Sequence, residues 1–229
     1  RSSEDIKNLV KFVSQNKKKN PRLALSPRAA GTDMTGGPLT ESIVIGFTKY
    51  LTRIKEIGRN SAVVEPGCYY RDFEAETLKK GLLLPSYPAS RGLCAIGGIV
   101  ANNAGGEKTL VYGKTEDYVL ETKVVFSDGQ EYTVKPLNQK KLSKKIKQKD
   151  FEGKVYRELF GLIKANLNLI RKSKPNVSKN SAGYFLWNVW DGKTFDLNKL
   201  IVGSQGTLGI ITEVKLRLIQ PKKHARMLV

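Results

Sequence analysis

A neutral, glycine-dense run at residues 94–106, CAIGGIVANNAGG, most constrains what this chain can fold into. It lies in a chain in which 27% of the residues are charged. Glycine lets backbone N–H groups approach an anion closely, and the start of a helix adds partial positive charge at the same place. Gly97 and Gly98, followed by IVANNA, therefore predict a helix that begins beside an anionic group held by main-chain N–H groups in a dry site.

Two further glycine-rich segments accompany this run, PRAAGTDMTGG at 27–37 and GSQGTLG at 203–209. Each segment alone is as consistent with tight turns as with a ligand loop, but three in one chain favour a phosphate site. The common templates are absent. Neither GKT at 113–115 nor GKT at 192–194 has the earlier glycine of a Walker A loop, and G-x-G-x-x-G does not occur. A nucleotide, if one is bound, is therefore bound in another way.

Several other chemistries are disfavoured by residue counts. Cys68, Cys94 and His224 are the only cysteines and histidine, which are too few for a structural zinc cluster, so no metal site is predicted. A Ser-His or Cys-His nucleophile pair would depend on His224, close to the C-terminus, and no catalytic residue is assigned. No run of roughly 18 apolar residues and no signal-peptide core occur, which predicts a cytoplasmic protein.

The net charge of +19 raises the question of an anionic partner. Residues 135–174 carry thirteen Lys and Arg against three acids, and KPLNQKKLSKKIKQK lacks interleaved aromatic residues, so we interpret it as a solvated loop or ragged helix. No helix-turn-helix, zinc-finger or RNP-like pattern accompanies the charge, and no nucleic-acid partner is expected. A basic protein that binds nucleic acid or an anionic surface remains the alternative from another class. Peripheral contact with the inner face of the membrane also stays open.

Hydrophobic periodicity predicts a mixture of helices and strands, with a lobe boundary near residues 85–90. Ser2 and Asp5 form a predicted capping box, and Asp128-Gly129 is the strongest hairpin signal. The predicted elements are a helix ended by Pro21, buried strands at 23–25, 43–47 and 62–64 with βαβ-like spacing, a helix in 69–81, a hairpin around 128–129, an amphipathic helix over 155–170, and strand, glycine turn and strand over 200–219.

Six motifs occur in order: PRAAGTDMTGG, PASRGLCAIGGIVANNAGG, YGKTEDYV, VVFSDGQ, KNSAGY and VGSQGTLGIITEVKLRL. Together they resemble the FAD-binding domain of the vanillyl-alcohol oxidase/PCMH flavoprotein family, and within it the glycolate oxidase/D-lactate dehydrogenase branch of FAD-linked 2-hydroxy-acid oxidoreductases. The resemblance implies an α+β, two-lobed PCMH-type domain with FAD between the lobes. The first lobe, 1–86, would be a small βαβ unit, and the second, 87–229, would have a mixed or antiparallel sheet flanked by helices.

The resemblance also implies the residues that hold FAD, with the peptide groups of 29–32 binding the pyrophosphate. These residues are Pro27, Arg28, Ala29, Ala30, Gly31, Thr32, Asp33, Met34, Thr35, Pro88, Ala89, Ser90, Cys94, Ala95, Ile96, Gly97, Gly98, Ala101, Asn102, Asn103, Ala104, Gly203, Gly206, Gly209, Ile210 and Ile211. Gln205 stands where the family usually has Glu, and Ala95 where it often has Thr, which predicts a weaker affinity. Non-covalent FAD is expected, although Cys94 lies about where some relatives carry a cysteinyl bond.

The implied reaction is oxidation of a 2-hydroxy acid of the D-lactate or glycolate type by hydride transfer to FAD. The alternative within the family is action on another alcohol, a sugar lactone or an ether-lipid precursor. A substrate-binding cap domain, with the base and the carboxylate-binding group, is expected outside these residues. We therefore interpret the chain as the cofactor-binding fragment of a longer enzyme whose electron acceptor is unassigned.

Overall fold

A computed structural model describes residues 1–177, 180–222 and 224. Short 3₁₀ turns lie at Thr115–Asp117 and Leu186–Asn188. The helices are α1 (Ser3–Asn16), α2 (Tyr70–Leu78), α3 (Ile96–Ala101), α4 (Thr109–Tyr112), α5 (Gln139–Ile146), α6 (Phe151–Ala165), α7 (Leu167–Lys172) and α8 (Asn198–Ile201). The strands are β1 (Leu25–Arg28), β2 (Ile43–Gly46), β3 (Ile54–Ile57), β4 (Ser61–Val64), β5 (Val119–Val125), β6 (Glu131–Val134), β7 (Leu137–Asn138), β8 (Thr194–Phe195) and β9 (Ile210–Arg217).

The central sheet has five antiparallel strands in the order β3-β4-β9-β5-β6. Strand β9 comes last in the sequence but lies in the middle, where Val214 pairs with Val64 of β4 and with Thr122 of β5. The predicted hairpin at Asp128-Gly129 is confirmed as the β5–β6 connection. Because β4 pairs with β9, the sheet contains strands from both sides of residue 86, and the division into lobes there stays a prediction.

The N-terminal part contributes a separate pair of parallel strands, β1 and β2, in which Leu25 pairs with Ile43. The helix of this part, α1, precedes β1, whereas residues 29–42 between the two strands form a loop without a helix. Ser2 and Asp5 make the predicted capping box at the start of α1. The chain is therefore an α+β protein with open sheets, as predicted.

A small hydrophobic cluster holds this N-terminal part against the central sheet. Ile6 of α1 and Phe47, which follows β2, pack with Val125 of β5 and Ile210 of β9. A larger cluster fills the rest of the molecule, and Tyr70, Tyr156 and Phe195 are among its most completely buried side chains. The small cluster fixes the end of β1 close to the start of β9, which brings the first and third glycine-rich segments together.

The strand predicted at the start of residues 200–219 is wrong. The apolar run that begins at Leu200 was expected to be a strand, but it belongs to α8. The Asp196 carboxylate accepts a hydrogen bond from the Asn198 N–H at 3.0 Å, which starts a helical turn, and so short an apolar run does not distinguish helix from strand. For the lysine-rich segment, where a solvated loop or a ragged helix was expected, the structure has the helix α5, whose N-cap Asn138 accepts from Lys141 N–H at 3.0 Å.

None of the helices in the described ranges combines the length and the apolar character that crossing a bilayer requires.

Candidate functional site

The three glycine-rich segments converge on one cleft, with an empty volume of about 690 Å3 when space open to solvent is included. Each segment contributes several of the predicted residues. These are Pro27, Ala29, Gly31 and Asp33 from the first, Gly97, Gly98, Ala101 and Asn102 from the second, and Gly206 and Gly209 from the third, with Ile211 of β9 directly after it. The structure therefore brings together residues that are up to 184 positions apart in the sequence.

The loop after β1 supplies free hydrogen-bond donors next to the cleft. The Arg28 carbonyl accepts from Phe47 N–H at 3.1 Å, which fixes the end of β1 to β2. Beyond that bond, the N–H groups of residues 29–32 have no acceptor among the described residues. Successive main-chain donors of this kind form an anion-binding concavity.

Helix α3 forms the opposite wall, and it begins where the sequence predicted. Its first two amides are engaged within the protein, however, because Ile96 N–H donates to Cys68 O at 2.9 Å and Gly97 N–H donates to Pro66 O at 2.8 Å. A Cβ on Gly97 would lie 2.7 Å from the Cβ of Pro66, so only glycine allows this close approach. Among the first amides of α3, the Gly98 N–H has no acceptor within the described residues, so the predicted donor at the start of this helix is Gly98, beside the donors of the first loop.

The third segment packs against both of the others. Gly206 has a φ of 77°, and a Cβ there would lie 2.5 Å from Pro27 Cγ. Gln205 N–H donates to Ala101 O at 2.9 Å, and Gln205 Nε2 donates to Asn102 Oδ1 at 2.8 Å. A glutamate carboxylate has no N–H group and could not donate this second bond. The glutamine that replaces the family's usual glutamate at position 205 therefore adds a bond between the third segment and the end of α3.

The remaining predicted residues do not line the cleft, and their cofactor contacts stay predictions. Those on exposed or partly exposed positions of the loops are Arg28, Ala30, Thr32, Met34, Thr35, Pro88, Ala89, Ser90 and Gly203. Those buried in the protein are Cys94, Ala95, Ile96, Asn103, Ala104 and Ile210. Among them Asn103 is notable, because its Oδ1 accepts from Glu116 N–H at 3.0 Å whereas its buried Nδ2 has no partner within the described residues.

Four lining residues were not predicted as site residues because they lack a local signal or had been assigned to other roles. Gly37 and Pro38 close the first loop, Phe47 follows β2, and Pro66 follows β4. Phe47 and Pro66 have no glycine-rich context. The Phe47 N–H donates to Arg28 O and the Pro66 carbonyl accepts from Gly97 N–H, and these bonds place both residues at the cleft. Gln205, a fifth lining residue, was noted only as a departure from the family pattern.

The KNSAGY motif lies next to the third segment. Tyr184 Oη and Thr207 Oγ1 are 2.7 Å apart, and Lys114 Nζ donates to the carbonyl of Asn180 and, at 3.1 Å, to Ser181 Oγ. Lys179 of the motif lies outside the described residues. These bonds join the YGKTEDYV motif, the KNSAGY motif and the edge of the cleft.

Cys68 and Cys94 are both free and buried. We expect neither thiol to form a covalent bond to flavin, so flavin should be released intact when the protein is denatured. Burial raises the pKa of Cys94 to about 11, and burial together with the charges of Asp72 and Glu65 raises that of Cys68 to about 11. Only about one thiol in ten thousand is then ionised at neutral pH, and the thiolate is the reactive form. We expect iodoacetamide to modify both cysteines much more slowly in the folded protein than in urea, as measured by mass spectrometry. Peptides of Cys94 that retain flavin mass after denaturation would contradict this.

The residues of the cleft fit FAD. The free amides of 29–32 suit a pyrophosphate, and the apolar walls of Pro27, Phe47 and Ile211 suit an aromatic ring system. Asp33 is the one ionisable side chain among the lining residues, and its carboxylate already accepts from Thr35 N–H at 3.2 Å and from Thr35 Oγ1 at 2.6 Å. Within the described ranges, no three His, Cys, Asp or Glu side chains are grouped to hold a metal ion.

Comparison with known proteins agrees with this geometry. A family model described as an FAD binding domain matches residues 1–135. Over 209 residues the chain is 28% identical to D-2-hydroxyglutarate dehydrogenase of Pantoea ananatis, covering 90% of this chain and 20% of that protein. It is 28% identical to glycolate oxidase subunit GlcD of Bacillus subtilis (99% and 37% covered) and 29% identical to D-lactate dehydrogenase of Anaerostipes hadrus (100% and 37% covered).

Among solved structures, an alkyldihydroxyacetonephosphate synthase superposes with a TM-score of 0.60 at 17% identity, over 97% of this chain and 31% of the synthase chain. This likeness concerns the fold alone. The chain spans 20% to 37% of the length of the three relatives above.

Proposed function

Because the chain belongs to the FAD binding domain family, and FAD is therefore its cofactor, we propose that it is the FAD-binding part of an oxidoreductase that acts on the CH–OH group of a 2-hydroxy acid. The relatives named D-2-hydroxyglutarate dehydrogenase, D-lactate dehydrogenase and glycolate oxidase subunit support this substrate class. Substrate recognition and the catalytic base are proposed to lie in a cap domain outside residues 1–229.

The observation that carries the proposal is the convergence of three glycine-rich segments on a cleft whose first loop offers four unused main-chain donors. Such donors bind an anion without a side-chain charge, and the neutral run at 94–106 adds the unused N–H of Gly98 to them. The tie between Gln205 and Asn102 and the contact of Gly206 with Pro27 hold the walls in place before a ligand binds.

When bound, FAD supplies the hydride acceptor for the oxidation. The chain's own contribution is to bind and orient the cofactor through residues 29–32, and to keep water from one side of it with the apolar walls formed by Pro66, Ala101 and Ile211. The carboxylate of Asp33 is occupied by Thr35, so no lining side chain is assigned as the base.

The test uses the full-length protein incubated with excess FAD and freed of unbound ligand. We expect it to retain the visible flavin band, and we expect anaerobic addition of D-2-hydroxyglutarate, D-lactate or glycolate to bleach that band, whereas the L-enantiomers of the two chiral acids leave it unchanged. If the band is bleached only by another alcohol or by a sugar lactone, that compound class replaces 2-hydroxy acids as the proposed substrate. Failure to retain any flavin would overturn the proposal for the cleft as well.

The proposed partners follow from this chemistry. They are a small hydroxy acid and an electron acceptor of unassigned type, without a nucleic-acid partner. We propose a cytoplasmic location with peripheral contact at the inner face of the membrane, supported by the positive charge of the chain.

A further inference from the structure

The helices α5, α6 and α7 form a strongly basic surface, here called the basic face. Residues 135–174 hold thirteen of the 40 Lys and Arg of the chain and only three acids. All but one of these basic side chains are exposed, the exception being the partly exposed Lys145. More than half of the net charge of +19 is thus carried by 40 consecutive residues.

The structure collects these charges instead of spreading them. Helix α5 packs against α6, and the Arg157 guanidinium of α6 donates to the carbonyls of Ile146 and Gln148 at 2.9 and 3.2 Å. These bonds hold the end of α5, where Lys147 and Lys149 lie, next to the basic side chains of α6. The basic side chains of α5 and α6 therefore lie on two helices that pack against each other.

Little of this charge is compensated within the protein. Only Lys135, Lys145 and Lys154 pair with carboxylates, at 3.9, 2.7 and 3.9 Å, and the other ten basic side chains make no ion pair with any described residue. Of the three acids, Glu152 is buried and paired, and Asp150 caps α6 by accepting from Gly153 N–H at 2.8 Å. The surface is left with an excess of positive charge that only an external partner can neutralise.

Exposed leucines accompany the charges. Leu162 lies two turns beyond Lys154 on the same stripe of α6 and is 49% exposed, and Leu169 of α7, followed by Arg171 and Lys172, is 64% exposed. Nucleic-acid backbones would be contacted by basic and polar side chains, and they give no reason for leucines among the lysines. An interfacial membrane helix places its lysines at the level of the lipid headgroups and its leucines at the boundary with the acyl chains.

We infer that the basic face binds the surface of a bilayer containing anionic phospholipids, with Leu162 and Leu169 reaching into the interface. This inference deepens the membrane contact included in the proposed function by naming the surface and the lipid charge that it requires. It would place the flavoprotein where an electron acceptor dissolved in the membrane could be reached.

The test measures co-sedimentation of full-length, FAD-loaded protein with vesicles of phosphatidylcholine alone and of phosphatidylcholine mixed with phosphatidylserine. We expect binding only to the mixed vesicles, weakening as salt is raised. Lys140→Gln, Lys144→Gln and Lys147→Gln together should weaken it about 100-fold, about fivefold for each lysine. Leu162→Ser with Leu169→Ser should weaken it about tenfold.

The matched control replaces three exposed lysines outside the basic face, Lys18→Gln, Lys19→Gln and Lys80→Gln, for the same change in net charge, and should change binding by less than about threefold. Equal loss in both triple variants, or equal binding to neutral and anionic vesicles, would overturn the inference. The inference would also be overturned if the protein bound random-sequence duplex DNA more tightly than the mixed vesicles and the triple substitution of Lys140, Lys144 and Lys147 abolished that binding. The visible flavin band of every variant is recorded separately, so that loss of FAD, which concerns the proposed function, is distinguished from loss of vesicle binding.

Discussion

Replacing Gly206 by alanine is expected to raise the dissociation constant for FAD at least about tenfold. Gly206 has a φ of 77°, a conformation that costs alanine about 1 to 3 kcal/mol. The new Cβ would also lie 2.5 Å from Cγ of Pro27, a stiff ring at the entrance to the first loop. Relief of this contact moves the third segment away from residues 29–32 and opens the cleft. Flavin fluorescence titration of the full-length apoprotein measures the effect.

Gly161→Ala is the matched control for this substitution. Gly161 lies inside α6, and a Cβ there would have no atom within 4 Å. Alanine should stabilise the helix by about 0.5 to 1 kcal/mol without changing FAD affinity. If both variants bind FAD as tightly as the unaltered protein, the contact between Gly206 and Pro27 does not shape the site.

Replacing Glu65 by alanine is expected to lower the free energy of unfolding by about 2 to 3 kcal/mol. This carboxylate is only 1% exposed, and it accepts from Arg53 N–H at 2.9 Å and from Arg53 Nη2 at 2.9 Å, with Lys55 Nζ at 3.6 Å. Its loss leaves the partly buried Arg53 N–H without this acceptor and a gap beside Pro66. Urea unfolding measures the change.

Glu76→Ala is the control, because it removes an exposed ion pair with Lys79. It should lower the free energy of unfolding by less than about 0.5 kcal/mol. An equal loss in the Glu65 and Glu76 variants would show that burial of Glu65 is unimportant.

The same network gives the protein an acid-dependent stability. Burial raises the pKa of Glu65, but the hydrogen bonds from Arg53 and the charges of Arg53 and Lys55 lower it by more, so it lies below its ordinary value of 4.5. The pKa of Glu213 is also lowered, because Lys55 and Lys123 outweigh burial. Carboxyl groups with lowered pKa stabilise the fold above 4.5, and this contribution is lost as the pH falls from there through the folded-state values. The unfolding free energy of Glu65→Gln should therefore fall less steeply with acid.

Local signals in the sequence predicted the elements whose stability is itself local. The Ser2 and Asp5 capping box and the Asp128-Gly129 turn act within a few residues, and both form as expected. The segment at Leu200 was misjudged because its conformation depends on the bond that Asn198 N–H donates to the Asp196 carboxylate and on burial in the core. Periodicity cannot be measured over four residues.

The site was predictable only in the parts that carry a local signal in the sequence. Glycine-rich segments are visible in a sequence, and residues from all three line the cleft. Which amides remain free was not predictable, because the acceptors that occupy Ile96 and Gly97 are carbonyls of Cys68 and Pro66, which lie 28 and 31 positions earlier. Phe47 and Pro66 reach the cleft only through backbone hydrogen bonds to partners that are distant in the sequence.

The position of β9 in the middle of the central sheet has a consequence for the synthesis of the protein. As the chain leaves the ribosome, β3 with β4 and β5 with β6 can form two hairpins early, but each keeps an unpaired edge until residues 210–217 emerge and join them. Closing so long a stretch of chain is slow, and unpaired edges favour aggregation. Chaperone dependence during translation should therefore end abruptly once β9 is outside the exit tunnel, a transition that ribosome-bound chains of graded length would reveal.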